Sequence, residues 1–358
     1  MNSERPSELC VTPPIRATTI RSRASVGGTV CGLFAAVGYT AANICLRAVT
    51  GCDPIWVSTV KAFPTVALVG PWLLVHYARG EKVFPSRRVL VILVLTGLLA
   101  HLGGNVVFQW SLGVIGMALA VPLTLGTLIL AGALLGRSLL GEPVTWRTLA
   151  SIVILIVAIA MLSLGANEAH RSVVHEGPVI GPVGQAFQPD VEPADAGREN
   201  LTHRQPPGQS TQSLGFVAAG VSAALLAGLA YAVLGVVIRY GVTGRASLSV
   251  TLVTVASTGV LSLGGWSLWR MGWQGMWDTA PADLATMLVA GTCNAISFVA
   301  LTRSLQLTSV VYANALNATQ AAMAALAGIV FFQEAQSGEL IVGLLLTIAG
   351  LVLMRQRR

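Results

Sequence analysis

Hydrophobic residues run along this chain in stretches of about 20, the length a helix needs to cross the hydrocarbon of a bilayer. Short polar clusters separate them. The pattern predicts ten spans, at roughly 26–46, 55–75, 89–110, 114–135, 146–165, 214–238, 248–269, 283–302, 308–332 and 339–354. The last is short and relies on flanking side chains snorkelling to the interface. The expected fold class is therefore an all-α integral membrane protein.

The chain also repeats itself. A shift of 192 residues lays Tyr39 on Tyr231, Arg47 on Arg239 and Glu142 on Glu334. The same shift lays the small-residue stripe Gly28-Gly32-Ala36-Thr40 on Gly220-Ala224-Gly228-Ala232, and a shift of 193 aligns Ser111-Leu112 with Ser304-Leu305. Five spans per copy is an odd number, so the second copy is expected upside down relative to the first, giving ten transmembrane helices as two inverted five-helix repeats. The expected divisions are a cytoplasmic tail at 1–25, a first repeat at 26–165, a linker at 166–213, a second repeat at 214–354 and a basic end at 355–358.

Composition narrows the class. Of the residues 54% are hydrophobic and 10% charged, with mean hydropathy +0.72, far from a soluble domain. The formal charge of +7 does not point to nucleic acid, because the basic residues sit in small clusters between apolar runs. With the N-terminus inside, 16 of 22 Lys and Arg fall on the cytoplasmic side, so both termini are expected there. The polar stretch 1–25 precedes a full-length apolar span and reads as leading into a retained signal anchor in a cell membrane. The linker carries six prolines and mixed charge, a composition that cannot bury a core, and is expected to be disordered. The five cysteines (10, 31, 45, 52 and 293) and His170, His175 and His203 show no metal-ligand or disulfide spacing, so no metal and no cofactor are expected.

The order of motifs resembles the EamA domain. The stretch Ser111 to Gly116, an apolar span ending Leu140-Gly141-Glu142 and a further span look like its second part. The second copy reads Ser304 to Ser309, then a span ending Phe332-Gln333-Glu334, then Gly343 and Gly350. Together they are similar to ten-span members of the drug/metabolite transporter superfamily. That resemblance implies a carrier with a central cavity lined mainly by spans one, three, four, six, eight and nine. The chain departs from the family pattern at Ile129 and Ala321, where a proline is common, and carries Pro122 instead.

Polar residues inside apolar spans are the candidate site, because they are costly unless they face protein or water. His101, Asn105 and Gln109 recur every four residues in span three. The 193 shift sets His101 opposite Asn294 in span eight, and Asn314, Asn317 and Gln320 fall at three-residue spacing in span nine. Tyr39 and Asn43 in span one and Tyr231 in span six can reach the same cavity, or be buried with satisfied polar tips. Pro122 frees a backbone carbonyl near Thr124. Lys61, the cation inside a span, either snorkels to the outer interface or pairs with a substrate carboxylate. Each cluster can instead be interhelical hydrogen-bond glue. Glu142 and Glu334 suit the N-termini of the helices that follow them, and Arg47 and Arg239 the C-termini of theirs. Trp266, Trp269, Trp273 and Trp277 form one helical stripe that reads as an interfacial anchor.

No DxxD, HxxxD or HExxH constellation supports an enzyme. The expected function is a secondary transporter working by alternating access on a small neutral or zwitterionic metabolite such as an amino acid. The alternatives are a lipid flippase of the same fold and a membrane protein without transport activity. The partners expected are the small-molecule substrate and membrane lipid, with no nucleic acid; oligomeric state is not readable from sequence.

Overall fold

The computed structural model describes residues 15–80, 84–175, 214–323 and 338–354. The described residues form helices joined by tight turns, with no strand. They are α1 (Ile15–Ala48), α2 (Pro54–Ala78), α3 (Arg87–Leu99), a π-helical segment (Ala100–Val106), α4 (Val107–Ile115), α5 (Met117–Leu140) and α6 (Trp146–His175). The second half gives α7 (Leu214–Val242), α8 (Leu248–Trp277), α9 (Pro281–Leu307), α10 (Val310–Asn317) and α11 (Gly338–Met354).

Local chemistry explains the boundaries. Asp53 caps α2, accepting from the Ile55 and Trp56 amides at 2.9 and 3.1 Å, and Pro54 opens the helix where its missing N–H costs nothing. Ser247 and Ser309 cap α8 and α10 in the same way. Gly116 joins α4 to α5 in a single residue at φ 72°, and Gly141 ends α5 in the left-handed region at φ 66°. The predicted break between spans three and four, at 111–113, lies inside α4: the Ser-Leu-Gly stretch stays helical until Gly116 forces the turn.

Seven helices among the described residues are long and apolar enough to cross a membrane; Trp146–Met161 and Ile341–Gly350 are shorter apolar helices. The outer surface is rich in large exposed apolar side chains, such as Phe34, Leu74, Leu95, Leu134 and Leu261, which suits hydrocarbon rather than water. The protein is thus a multi-pass, all-helical membrane protein. The helix α6 runs on to His175, ten residues past its predicted end at 165. Most of the linker (176–213), part of span nine (324–332), Glu334 and the basic end 355–358 lie outside the described residues. So do residues 1–14 of the tail and Cys10.

The two halves interleave. The helix α1 packs most extensively on α9 and also meets α10, while α7 packs on α5, α4 and the π segment. Between them α2 lies on α8 and α9, and α6 pairs with α11. The small-residue stripes form close seams. A Cβ on Gly32 would lie 2.6 Å from Leu316 Cδ1, and one on Gly228 2.5 Å from the Thr124 carbonyl oxygen. Ala36, Ala224 and Ala232 are fully buried between them.

A hydrogen bond marks each stripe. Ser304 Oγ donates to the Gly28 carbonyl at 2.8 Å, and Ser111 Oγ donates to the Gly220 carbonyl at 3.0 Å. These are the serines and glycines that the sequence repeat pairs.

The tryptophan stripe is interrupted. Gly272 takes φ 69°, ψ 173° inside α8, so Trp273 and Trp277 stand on a turned segment beyond Trp266 and Trp269. All four remain exposed, and Trp273 and Trp277 meet edge to face at 5.8 Å.

Candidate functional site

A cavity of about 150 Å³ lies between the halves. All the sequence candidates but Gln109 line it: Tyr39 and Asn43 on α1, Lys61 on α2, His101 and Asn105 on the π segment, Thr124 on α5, Tyr231 on α7, Asn294 on α9, Asn314 and Asn317 on α10, and Gln320 just beyond. Spans two and seven contribute as well, through Lys61, Ala62 and Thr65 and through Val255 and Ala256, beyond the set implied by the family resemblance. Apolar Phe108, Leu125, Leu128 and Phe298 complete the walls.

A connected polar chain occupies one wall. Lys61 Nζ donates to Asn105 Oδ1 at 2.7 Å, and the Tyr231 hydroxyl donates to the same oxygen at 2.8 Å. An ammonium has only donors, so the Asn105 oxygen must face it and the Asn105 nitrogen must face His101 Nδ1, 2.9 Å away. That ring nitrogen therefore accepts. The proton sits on Nε2, which donates to the Val255 carbonyl at 3.1 Å. The network holds a neutral imidazole in one tautomer.

Backbone features make room for it. Ala100–Val106 is wound as a π-helix, a form that recurs at functional sites. A Cβ on Gly104 would lie 2.7 Å from the Tyr231 ring, and one on Gly259 would overlap the His101 ring, so both glycines are needed for the approach of these side chains. The widened turns also carry Gln109 off the face predicted for it. Gln109 is buried away from the cavity and donates to the Leu46 carbonyl at 3.2 Å.

Lys61 does not snorkel. It is 6% exposed and turned into the cavity, because Asn105 supplies an acceptor at that depth. A second polar chain crosses from α1: Asn43 Nδ2 donates to Gln320 Oε1 at 3.2 Å, and Gln320 Nε2 donates to Asn317 Oδ1 at 2.8 Å. Thr124 donates to the Ala224 carbonyl at 3.1 Å and so also serves the α5–α7 seam. The Asn314 amide nitrogen is buried without a hydrogen-bond partner among the described residues.

At the end of the bundle where α5 and α7 finish, Glu142 departs from the role expected of it, and Arg239, in the last turn of α7 as expected, also reaches a second helix end. Glu142 does not cap α6. Its two carboxylate oxygens accept from the Val310 amide, at 3.2 and 3.0 Å, and cap α10 in the other half. Arg239 ion-pairs with it at 3.5 Å and donates to the Leu305 and Gln306 carbonyls at the end of α9, at 2.5 and 2.9 Å. Burial pushes the Glu142 carboxyl above its ordinary range, against the opposing pull of the Val310 amide and Arg239. At the opposite end Arg270 pairs with Asp53 at 3.4 Å, and Trp56 Nε1 donates to Thr279 at 3.0 Å.

The region 218–356 matches the EamA-like transporter family. That match supports a place in the drug/metabolite transporter superfamily, whose members are membrane transporters. One solved structure, described only as the crystal structure of a protein, has a similar fold: TM-score 0.62 at 17% identity, covering 92% of this chain and 96% of that one. No curated protein matches the chain.

Proposed function

We propose that the protein is a ten-span secondary transporter whose two inverted five-helix halves rock around the cavity to expose it alternately to each side. One observation carries the reading: the seam bonds Ser304–Gly28 and Ser111–Gly220 join repeat-equivalent residues in opposite halves. Two copies that dock on each other in the same way, in opposite orientations, can exchange conformations and so move a site from one face to the other. The charge distribution supports cytoplasmic termini in a cell membrane.

The solute is a small metabolite, neutral or zwitterionic, such as an amino acid. Amides and hydroxyls dominate the polar lining, and no Asp or Glu is among the lining residues to hold an organic cation. The test is solute counterflow in proteoliposomes with labelled amino acids, nucleosides and small organic acids. Accumulation of one species is expected, with loss in a His101→Ala/Asn294→Ala double variant that keeps the wild-type melting curve. Retained transport in that variant would move the site elsewhere.

A lipid flippase of the same fold is the second reading, favoured by the shared superfamily alone. Phospholipid scrambling or directed flipping by the reconstituted protein, without counterflow, would select it.

A further inference from the structure

We propose that Lys61 and Tyr231 form an anion subsite, in which the Asn105 amide oxygen holds the place of a carboxylate on the transported solute. The inference deepens the carrier reading above and rests on it.

Lys61 is an ammonium buried at membrane depth with no carboxylate among the lining residues. Such a charge is expensive to keep and is normally paired. Among the described residues, its three donor hydrogens meet one acceptor, a neutral amide. Tyr231, from the other half, aims its hydroxyl at that same oxygen. A cation and a hydroxyl donor converging on one oxygen is the arrangement a carboxylate accepts, and a charged acceptor makes the stronger bond of the two.

Asn105 is held from behind. His101 Nδ1 accepts from its amide nitrogen and Val255 fixes the ring, so the oxygen is presented in one orientation. A protonated His101 would set an N–H against that amide hydrogen, and turning the amide over would set its nitrogen against Lys61. The positive charge among the described lining residues is therefore that of Lys61. Asn314 adds a second buried donor that has no partner among the described residues. A lining with donors to spare selects a ligand rich in acceptors.

One cation and about 150 Å³ specify a small monocarboxylate. It is the carboxylate end of a zwitterion whose amine reaches amide oxygens such as that of Asn43, or a simple organic acid, an anion in place of the neutral or zwitterionic solute proposed above.

The test is counterflow with two labelled pools, one of amino acids and small organic acids, the other of the matching amides and alcohols. Wild type is expected to accumulate members of the first pool and none of the second, and the species accumulated tells zwitterion from simple acid. Lys61→Met should abolish accumulation. Asn105→Asp should abolish it too, because a permanent carboxylate then occupies the subsite. Tyr231→Phe should weaken half-saturation roughly tenfold, the scale of one bond to a charged group. Melting curves report folding, and the Asn105→Asp and Tyr231→Phe variants keep the test open should Lys61→Met fail to fold. Accumulation of amides or alcohols by wild type, or of carboxylates by folded Lys61→Met, overturns the subsite and leaves the carrier standing. No accumulation from either pool by folded, inserted wild type overturns the carrier reading and the subsite with it.

Discussion

The Glu142 carboxylate lies 3.5 Å from Arg239 Nε and joins the end of α5 in one half to the end of α7 in the other. The same two side chains hold the start of α10 and the last carbonyls of α9. Four helix ends thus meet at one ion pair. A rocking motion that opens this end of the bundle has to break it.

Removing either partner leaves the other buried with unpaired groups. Glu142→Ala and Arg239→Ala should each cost about 1–3 kcal/mol. The double variant should fall short of the sum by about 0.5–3 kcal/mol, since the groups share one network. Thermal melts in detergent, read as a double-mutant cycle, check this; additive effects would mean that the pair is not coupled.

The pH dependence follows from the same residue. Burial raises the Glu142 carboxyl above 4.5 in the folded protein, so the folded state holds the proton more tightly than the unfolded chain. The stability this gives is fully present below the unfolded value and is lost as pH rises through the folded one. Wild type should therefore lose melting temperature across the range above pH 4.5 relative to Glu142→Gln, whose profile should be flatter there. Parallel profiles would show that the carboxyl is not perturbed.

The seam between α5 and α7 sets a steric limit. Gly228→Ala would put a methyl 2.5 Å from the Thr124 backbone oxygen, which has no freedom to withdraw, and should cost about 1–3 kcal/mol. Gly126→Ala on α5 meets open space and should be neutral or gain up to about 1 kcal/mol of helix propensity. Melting temperatures of the two variants should move apart.

Gly259→Ala would collide with the His101 ring. The variant should lose about 1–3 kcal/mol and displace the ring from the Val255 carbonyl. Adding His101→Ala removes the collision and should restore stability but not transport. A double variant no more stable than Gly259→Ala would place the conflict elsewhere.

The candidate cavity was legible because polar side chains in apolar spans have few physical solutions. Asn43, Asn317 and Gln320 found one another, and His101 found Asn105, at the spacings the helices dictate. The partners of Glu142 and Arg239 were not legible. Each suits the end of a neighbouring helix in sequence, and only the interleaving of the halves shows that the ends they hold belong to α10 and α9. Lys61 stayed between two readings for a related reason. Hydropathy places it within reach of the interface, whereas the acceptor that keeps it inside comes from a residue 44 positions away. The turn at Gly272 was hidden because the tryptophan spacing fits an unbroken helix on both sides of it.

The π segment has a consequence for how the two halves correspond. Ser86 and Ala280, which precede α3 and α9, lie 194 positions apart, whereas Gly116 and Thr308, which end α4 and α9, lie 192 apart. The third span holds 29 residues and α9 holds 27, so the first half carries an insertion, and the wide turns absorb it beside His101 and Asn105. In the two-copy reading, gaining residues there broke the likeness of the halves at the cavity wall. A deletion within 100–106 is the change that would bring the copies back into step, and it would swing the Asn105 oxygen away from Lys61.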